Sequence, residues 1–258
     1  MSSYKGHTIF ALILALMFFH NPLIIALSVI GANIPDFDHK LKKDNVYKMI
    51  ILGLIVFISL YILKLPYYLG LIIVFLGTVF YFSQHRSFTH SIFGVLTLTA
   101  TVSLILIWAY ELLMNITIIP TSYLFMAILI ALLSFLFLNK KLLLIFLPLF
   151  FISLFLFGTL TVNYIEIAIG LFLGLLSHII LDAFSPSGIK LFAPISSKKS
   201  HKQFGMLSII ILGILAIYLR RFEILSLMAY FFSKHLLIIF LKQLLYEFMD
   251  LFICCRYF

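Results

Sequence analysis

The chain is poor in charge and poorer still in acid. Only 10% of its 258 residues are Asp, Glu, Lys or Arg, and nine of these are acidic. Soluble domains carry about 25% charged residues. With 64% hydrophobic residues, this chain cannot cover a water-facing surface and belongs in a bilayer. Cysteine is nearly missing. The two present, Cys254 and Cys255, are adjacent, which excludes a disulfide framework and a CxxC metal site and fits a reducing compartment. An inert pair in a tail and an acylated pair beside the membrane are the two readings of them. No internal repeat or low-complexity linker interrupts the apolar runs.

Apolar runs of about 18 or more residues cross a hydrocarbon core of about 30 Å as helices. Such runs fall near residues 46–64, 66–83, 91–111, 121–138, 141–158, 162–178, 204–219 and 223–241, after a first run over 8–32. They are continuously apolar, whereas barrel strands alternate lipid-facing and lumen-facing residues. The expected fold is all-α, a polytopic helical membrane protein with about 8–9 hydrophobic segments. No A-x-A-like cleavage site follows the first run, so it is kept as a segment rather than a signal peptide. That run is faulted at His20-Asn21-Pro22, where proline breaks or kinks a helix. If it stayed straight, His7 and Asp36 would lie about 43 Å apart at about 1.5 Å per residue. The expectation is a hairpin of two half-helices, each too short to span, which returns His7 to the face of Asp36; the alternative is a kinked spanning helix.

Polar groups beside lipid are costly unless partnered, so their clustering points to a site. Three of the five aspartates and four of the eight histidines fall in three blocks. These are Pro35-Asp36-Phe37-Asp38-His39, His85-Arg86-Ser87-Phe88-Thr89-His90-Ser91 and His178-Ile179-Ile180-Leu181-Asp182. His178 and Asp182 are four apart, on one face of a helix. Alone, that spacing equally describes a structural hydrogen bond. Asp-x-Asp-His alone equally describes a solvated loop, and a juxtamembrane arginine is usually an anchor. Counted by crossings, however, all three blocks return to one face of the membrane. Imidazole and carboxylate ligands without thiolate suit zinc, manganese or iron. The candidate ligands are His7, Asp36, Asp38, His39, His85, His90, His178 and Asp182, more than one catalytic zinc takes, so one to three divalent ions are expected. Arg86 and Asp38 are candidate catalytic residues, Arg86 being suited to meet a phosphate bidentately. His20, His201 and His235 have no ligand partner nearby in sequence, and Ser185-Pro186-Ser187-Gly188 is a turn by composition.

Basic residues orient the chain. With the first run folded back, Lys5, Lys40, Lys42, Lys43, Lys48, Arg86, Lys140, Lys141, Lys190, Lys198, Lys199, Lys202, Lys242 and Arg256 lie on the motif face. Lys64, Arg220 and Arg221 lie opposite. Retained loops collect lysine and arginine, so the motif face is expected to be cytoplasmic. The net charge of +9 reflects this bias and anionic headgroups, and no nucleic-acid partner is expected.

Gly6-His7, the three blocks, and the stretch from Leu173 through Asp182 to Pro194 resemble the YdjM-type membrane-bound metal-dependent hydrolases, in order and context over roughly residues 5–200. A more distant similarity, on His178-x-x-x-Asp182 and the His/Asp set, is to the helical zinc-dependent phospholipase C and single-strand nuclease superfamily. The resemblance implies a multi-pass inner-membrane protein with a hydrolase-like domain over 1–222. Residues 223–258, an apolar helix and tail, inherit nothing from it, and neither do the apolar segments inserted between 91 and 161. The expected activity is metal-dependent hydrolysis of a phosphoester in a membrane lipid or other phosphorylated amphiphile. A transporter or proton relay built on the same cluster is the alternative; it needs charged groups near the midplane.

Overall fold

The first run is broken into two helices at its proline fault, and Pro22 opens the second of them. In the computed structural model, which describes residues 4–38, 43–83, 87–116, 122–157, 161–226 and 228–230, helix α1 (Tyr4–Phe18) ends before the Asn-Pro pair and α2 (Pro22–Gly31) begins at it. Asn21 caps α2, its side-chain oxygen accepting from the Leu23 N–H at 3.1 Å. Proline at the first helical position lacks a donor that would have been orphaned anyway. At the other end, the Asn33 amide donates to Thr8 Oγ1 at 3.3 Å and to the Val29 carbonyl at 2.9 Å. The start of α1 therefore lies beside the end of α2.

Seven further helices follow: α3 (Lys43–Ile62), α4 (Tyr68–Phe82), α5 (Ile92–Ile116), α6 (Ser122–Phe137), α7 (Lys140–Phe157), α8 (Tyr164–Ala183) and α9 (Lys202–Leu219). There is no strand among the described residues. One antiparallel bridge, Ile189 to Ser200, pins the loop after α8. Five of these helices are long and apolar enough to cross a membrane: α3 from Asp44, α5, α7, α8 and α9. The apolar helices α1, α2, α4 and α6 are shorter. The expected last segment at 223–241 lies mostly outside the described residues, which include only 223–226 and 228–230 of it.

The chain divides into two compact units, Met1–Ile209 and Ile210–Phe258. In the second, Arg220 pairs with Glu223 at 3.0 Å and the Arg221 guanidinium lies over the Tyr218 ring. The first unit holds the core and all the motif residues described. Its centre is α2, nine of whose ten residues are buried, so lipid does not reach it. Leu98, Val102 and Leu106 of α5, Met126 and Ile130 of α6, and Leu171, Leu175 and Ile179 of α8 complete the core. Ile51, Ile55 and Ile58 of α3 and Leu144, Phe151 and Phe155 of α7 remain exposed, as lipid-facing side chains do.

Candidate metal centre

Helix α8 carries a stripe of residues four apart: Gly170, Gly174, His178 and Asp182. Positions at this spacing share one helical face. The two glycines let α2 close onto that face. A Cβ on Gly170 would sit 2.6 Å from Ile24 Cγ2, and one on Gly174 would collide with the Ser28 carbonyl. Small-xxx-small packing of this kind brings helix backbones into contact in membranes. One turn farther along, the contact delivers the end of α2 to His178, whose Nδ1–H donates to the Ala32 carbonyl at 2.7 Å. That bond makes Nδ1 the protonated nitrogen and points Nε2 inward.

His90 arrives from a different element. Ser91 caps α5, its Oγ accepting from the Gly94 N–H at 3.1 Å and donating to the Phe88 carbonyl at 2.7 Å, so the 3₁₀ turn Phe88–His90 is folded onto the start of that helix. His90 Nδ1 shares a hydrogen bond of 3.1 Å with Thr89 Oγ1, which in turn meets Ser83 Oγ at 3.4 Å. Asp36 lies in a second 3₁₀ turn, Pro35–Asp38, just past α2. His7 comes from α1, its ring stacked on that of His178 at 4.0 Å between centroids.

Four inward donors converge around the two imidazoles. His90 Nε2 and His178 Nε2 are 3.2 Å apart, and each is 3.4 Å from Asp182 Oδ2 and 3.7 Å from Asp36 Oδ1. Two imidazole nitrogens and one carboxylate oxygen at these separations share a point about 2 Å from all three, close to the Zn–N and Zn–O range of about 2.0–2.2 Å. His7 Nε2 lies 3.6 Å from Asp182 Oδ1. Two triads within this cluster, His7 with His178 and Asp182, and Asp36 with His90 and His178, can hold a metal ion. With the imidazoles neutral, two carboxylates leave a charge that a dication would cancel.

Burial alone would push the Asp36 carboxyl up. The His90 imidazole beside it, with His178 and His7 nearby, holds it instead at about 2, below the ordinary 3.8. Asp36 is also the cluster's opening: its side chain is 19% exposed, against 0–4% for His7, His90, His178 and Asp182.

Of the residues singled out from sequence, the structure brings together His7, Asp36, His90, His178 and Asp182. The backbone of Asp38 closes the turn that holds Asp36, while its side chain lies outside what is described. His39, His85 and Arg86 also lie outside the described residues. Sequence reasoning passed over Gly170 and Gly174, which the G-x-x-x-G spacing could have disclosed, and Thr89, Ser83 and Asn33, which carry no pattern of their own. Gly188 takes φ +63°, as its turn composition led one to expect.

A bundle of apolar helices around a buried His/Asp cluster defines a multi-pass membrane protein with a centre able to hold a metal. The YdjM inner membrane protein family matches residues 1–249, and the chain belongs to that family. No curated protein and no solved structure matches the chain.

Proposed function

We propose that the protein is a membrane-embedded metal-dependent hydrolase that cleaves a phosphoester of a lipid or other amphiphile. The observation that carries this reading is the convergence of two imidazoles and two carboxylates: His90 Nε2 and His178 Nε2 are 3.2 Å apart and each lies 3.4 Å from Asp182 and 3.7 Å from Asp36, with three of the four residues nearly sealed from solvent and Asp36 at the opening. A divalent ion, zinc or otherwise manganese or iron, would supply Lewis acidity there and make water nucleophilic near neutral pH. His90, His178, Asp182 and Asp36 would hold it. Asp36, partly exposed, is the donor at the opening, where water and substrate would enter. Arg86, two residues before the Phe88–His90 turn in sequence, is the candidate for binding the substrate phosphate, and Asp38, His39 and His85 remain candidate ligands or bases.

Two finer features belong to this reading. The first run enters the bilayer as a re-entrant hairpin, since α1 and α2, with 15 and 10 residues, reach only about 22 and 15 Å at about 1.5 Å per residue, short of a core of about 30 Å. The centre opens to the cytoplasm, on the argument of the basic loops. His178 and Asp182 fall in the last turns of α8, which favours a surface-facing hydrolase over a midplane relay.

The test is hydrolysis of phospholipid in mixed micelles, and of a chromogenic phosphodiester, by detergent-purified protein loaded with zinc, manganese or ferrous iron. Activity that disappears with chelator and in His178→Ala is expected. Metal-loaded protein inert toward every phosphoester would overturn the proposed activity.

A further inference from the structure

The two donor triads among the described residues invite a count of ions, and both of them need His178. Its Nδ1–H is committed to the Ala32 carbonyl at 2.7 Å, which leaves one lone pair, on Nε2, and one lone pair binds one ion. The triads are therefore alternatives and cannot be filled together.

Ring orientation chooses between them. An imidazole nitrogen donates in the plane of its ring. The His90 and His178 rings are inclined at 67° with their Nε2 atoms 3.2 Å apart, so their planes cross and both lone pairs can meet one ion. The His7 and His178 rings are stacked, 15° from parallel with centroids at 4.0 Å. Planes so nearly parallel do not converge within a bond length of about 2.0–2.1 Å. Asp182 agrees with this division. Its Oδ2 lies 3.4 Å from both His90 and His178 Nε2, while Oδ1 faces His7 at 3.6 Å.

We propose that this cluster holds a single ion, through Nε2 of His90, Nε2 of His178, Asp182 Oδ2 and Asp36, and that His7 lies outside the donor set as a positioning residue for Asp182. This rests on the metal-centre reading above, but not on the reaction assigned to it. His7 is then a group behind a ligand: it caps one face of the His178 ring and occupies the carboxylate oxygen of Asp182 that the ion does not use. Such outer partners orient ligands and tune the ion without touching it.

The experiment compares metal equivalents and spectra of the full-length chain in detergent, loaded with zinc and separately with cobalt(II). His7→Gln and His7→Phe should retain the wild-type number of equivalents, and X-ray absorption should count the same number of imidazole nitrogens per ion. The visible bands of the cobalt protein should shift in His7→Phe, where Asp182 has lost its partner, and less in His7→Gln, whose amide can still donate to Asp182. His90→Ala and His178→Ala should each lose one equivalent, and the double variant the same single equivalent. Loss of an equivalent or of an imidazole nitrogen in either folded His7 variant overturns the proposal, as does a double variant that loses two. Unshifted cobalt bands in His7→Phe at full occupancy overturn the positioning role. The His90 and His178 variants decide the ion count even if both His7 variants misfold. A wild-type protein that binds no ion overturns the metal centre and this inference with it, whereas one ion bound without phosphoester hydrolysis refutes only the activity.

Discussion

The carbonyl of Ala32 and the hydroxyl of Thr89 do for His178 and His90 what neither imidazole can do alone, which is to decide which nitrogen faces inward. Thr89 is the testable one, because it acts through a side chain. Removing a partner behind a metal ligand costs about 10–100-fold in affinity. Thr89→Val, nearly the same in shape, is expected to weaken zinc binding by about that factor while leaving the helical content unchanged, as competition with a chromogenic chelator would reveal. Asp36 supplies a pH test. Its folded carboxyl at about 2 lies below its ordinary 3.8, so its contribution to stability is complete above the ordinary value and is lost as pH falls through about 2. Between pH 7 and pH 5 it stays ionised. Any loss of metal over that window follows proton competition at the imidazoles, which donate only when neutral. Asp36→Asn should bind metal more weakly than wild type, with the same pH slope from 7 to 5 in a zinc titration; a flattened slope would contradict this.

Among the elements, α8 is the one on which the centre depends, through spacing rather than propensity. Gly170 and Gly174 set the approach of α2, and the same face continues into His178 and Asp182. A side chain on Gly174 meets backbone rather than a movable side-chain end, since its nearest neighbour is the Ser28 carbonyl. Relief must come from moving a helix. Overpacking of this kind costs about 1–3 kcal/mol. Gly174→Val should lower thermal stability in detergent and, because Ala32 and Asp36 move with α2, also abolish tight zinc binding. Full zinc affinity in a Gly174→Val protein would show that helix approach does not set the site. Gly213 is the control on α9, where nothing lies within 4 Å of an added Cβ. Substituting it should leave zinc binding intact.

For the molecule as a whole, orientation in the membrane is what the proposed function most needs. Cysteines placed in the 40–44, 139–141 and 196–202 loops should be shielded from an impermeant reagent outside intact cells, and one near Asn115 should react. Labelling of the first three from outside would turn the centre to the other side and refute a cytoplasmic substrate. Exposed apolar side chains on α3 and α7 fit a lipid-surrounded bundle.

Membrane residence, helical class and the donor types followed from composition and motif alone, because each depends on which atoms are present: too little charge to face water, continuously apolar runs long enough to span, imidazole and carboxylate with no thiolate. His178 and Asp182 could be paired from their spacing, since four residues is one helical turn. Which donors meet, and which merely lie close, depends on contacts far apart in the chain. His178 is oriented by a carbonyl 146 residues away and faces a histidine 88 residues away. His7 is a candidate ligand in the sequence because the fold-back puts it on the motif face and Gly6-His7 is among the motifs. Its proposed place behind Asp182 instead rests on its ring stack with His178, since an imidazole lone pair has a direction and only the folded chain assigns it.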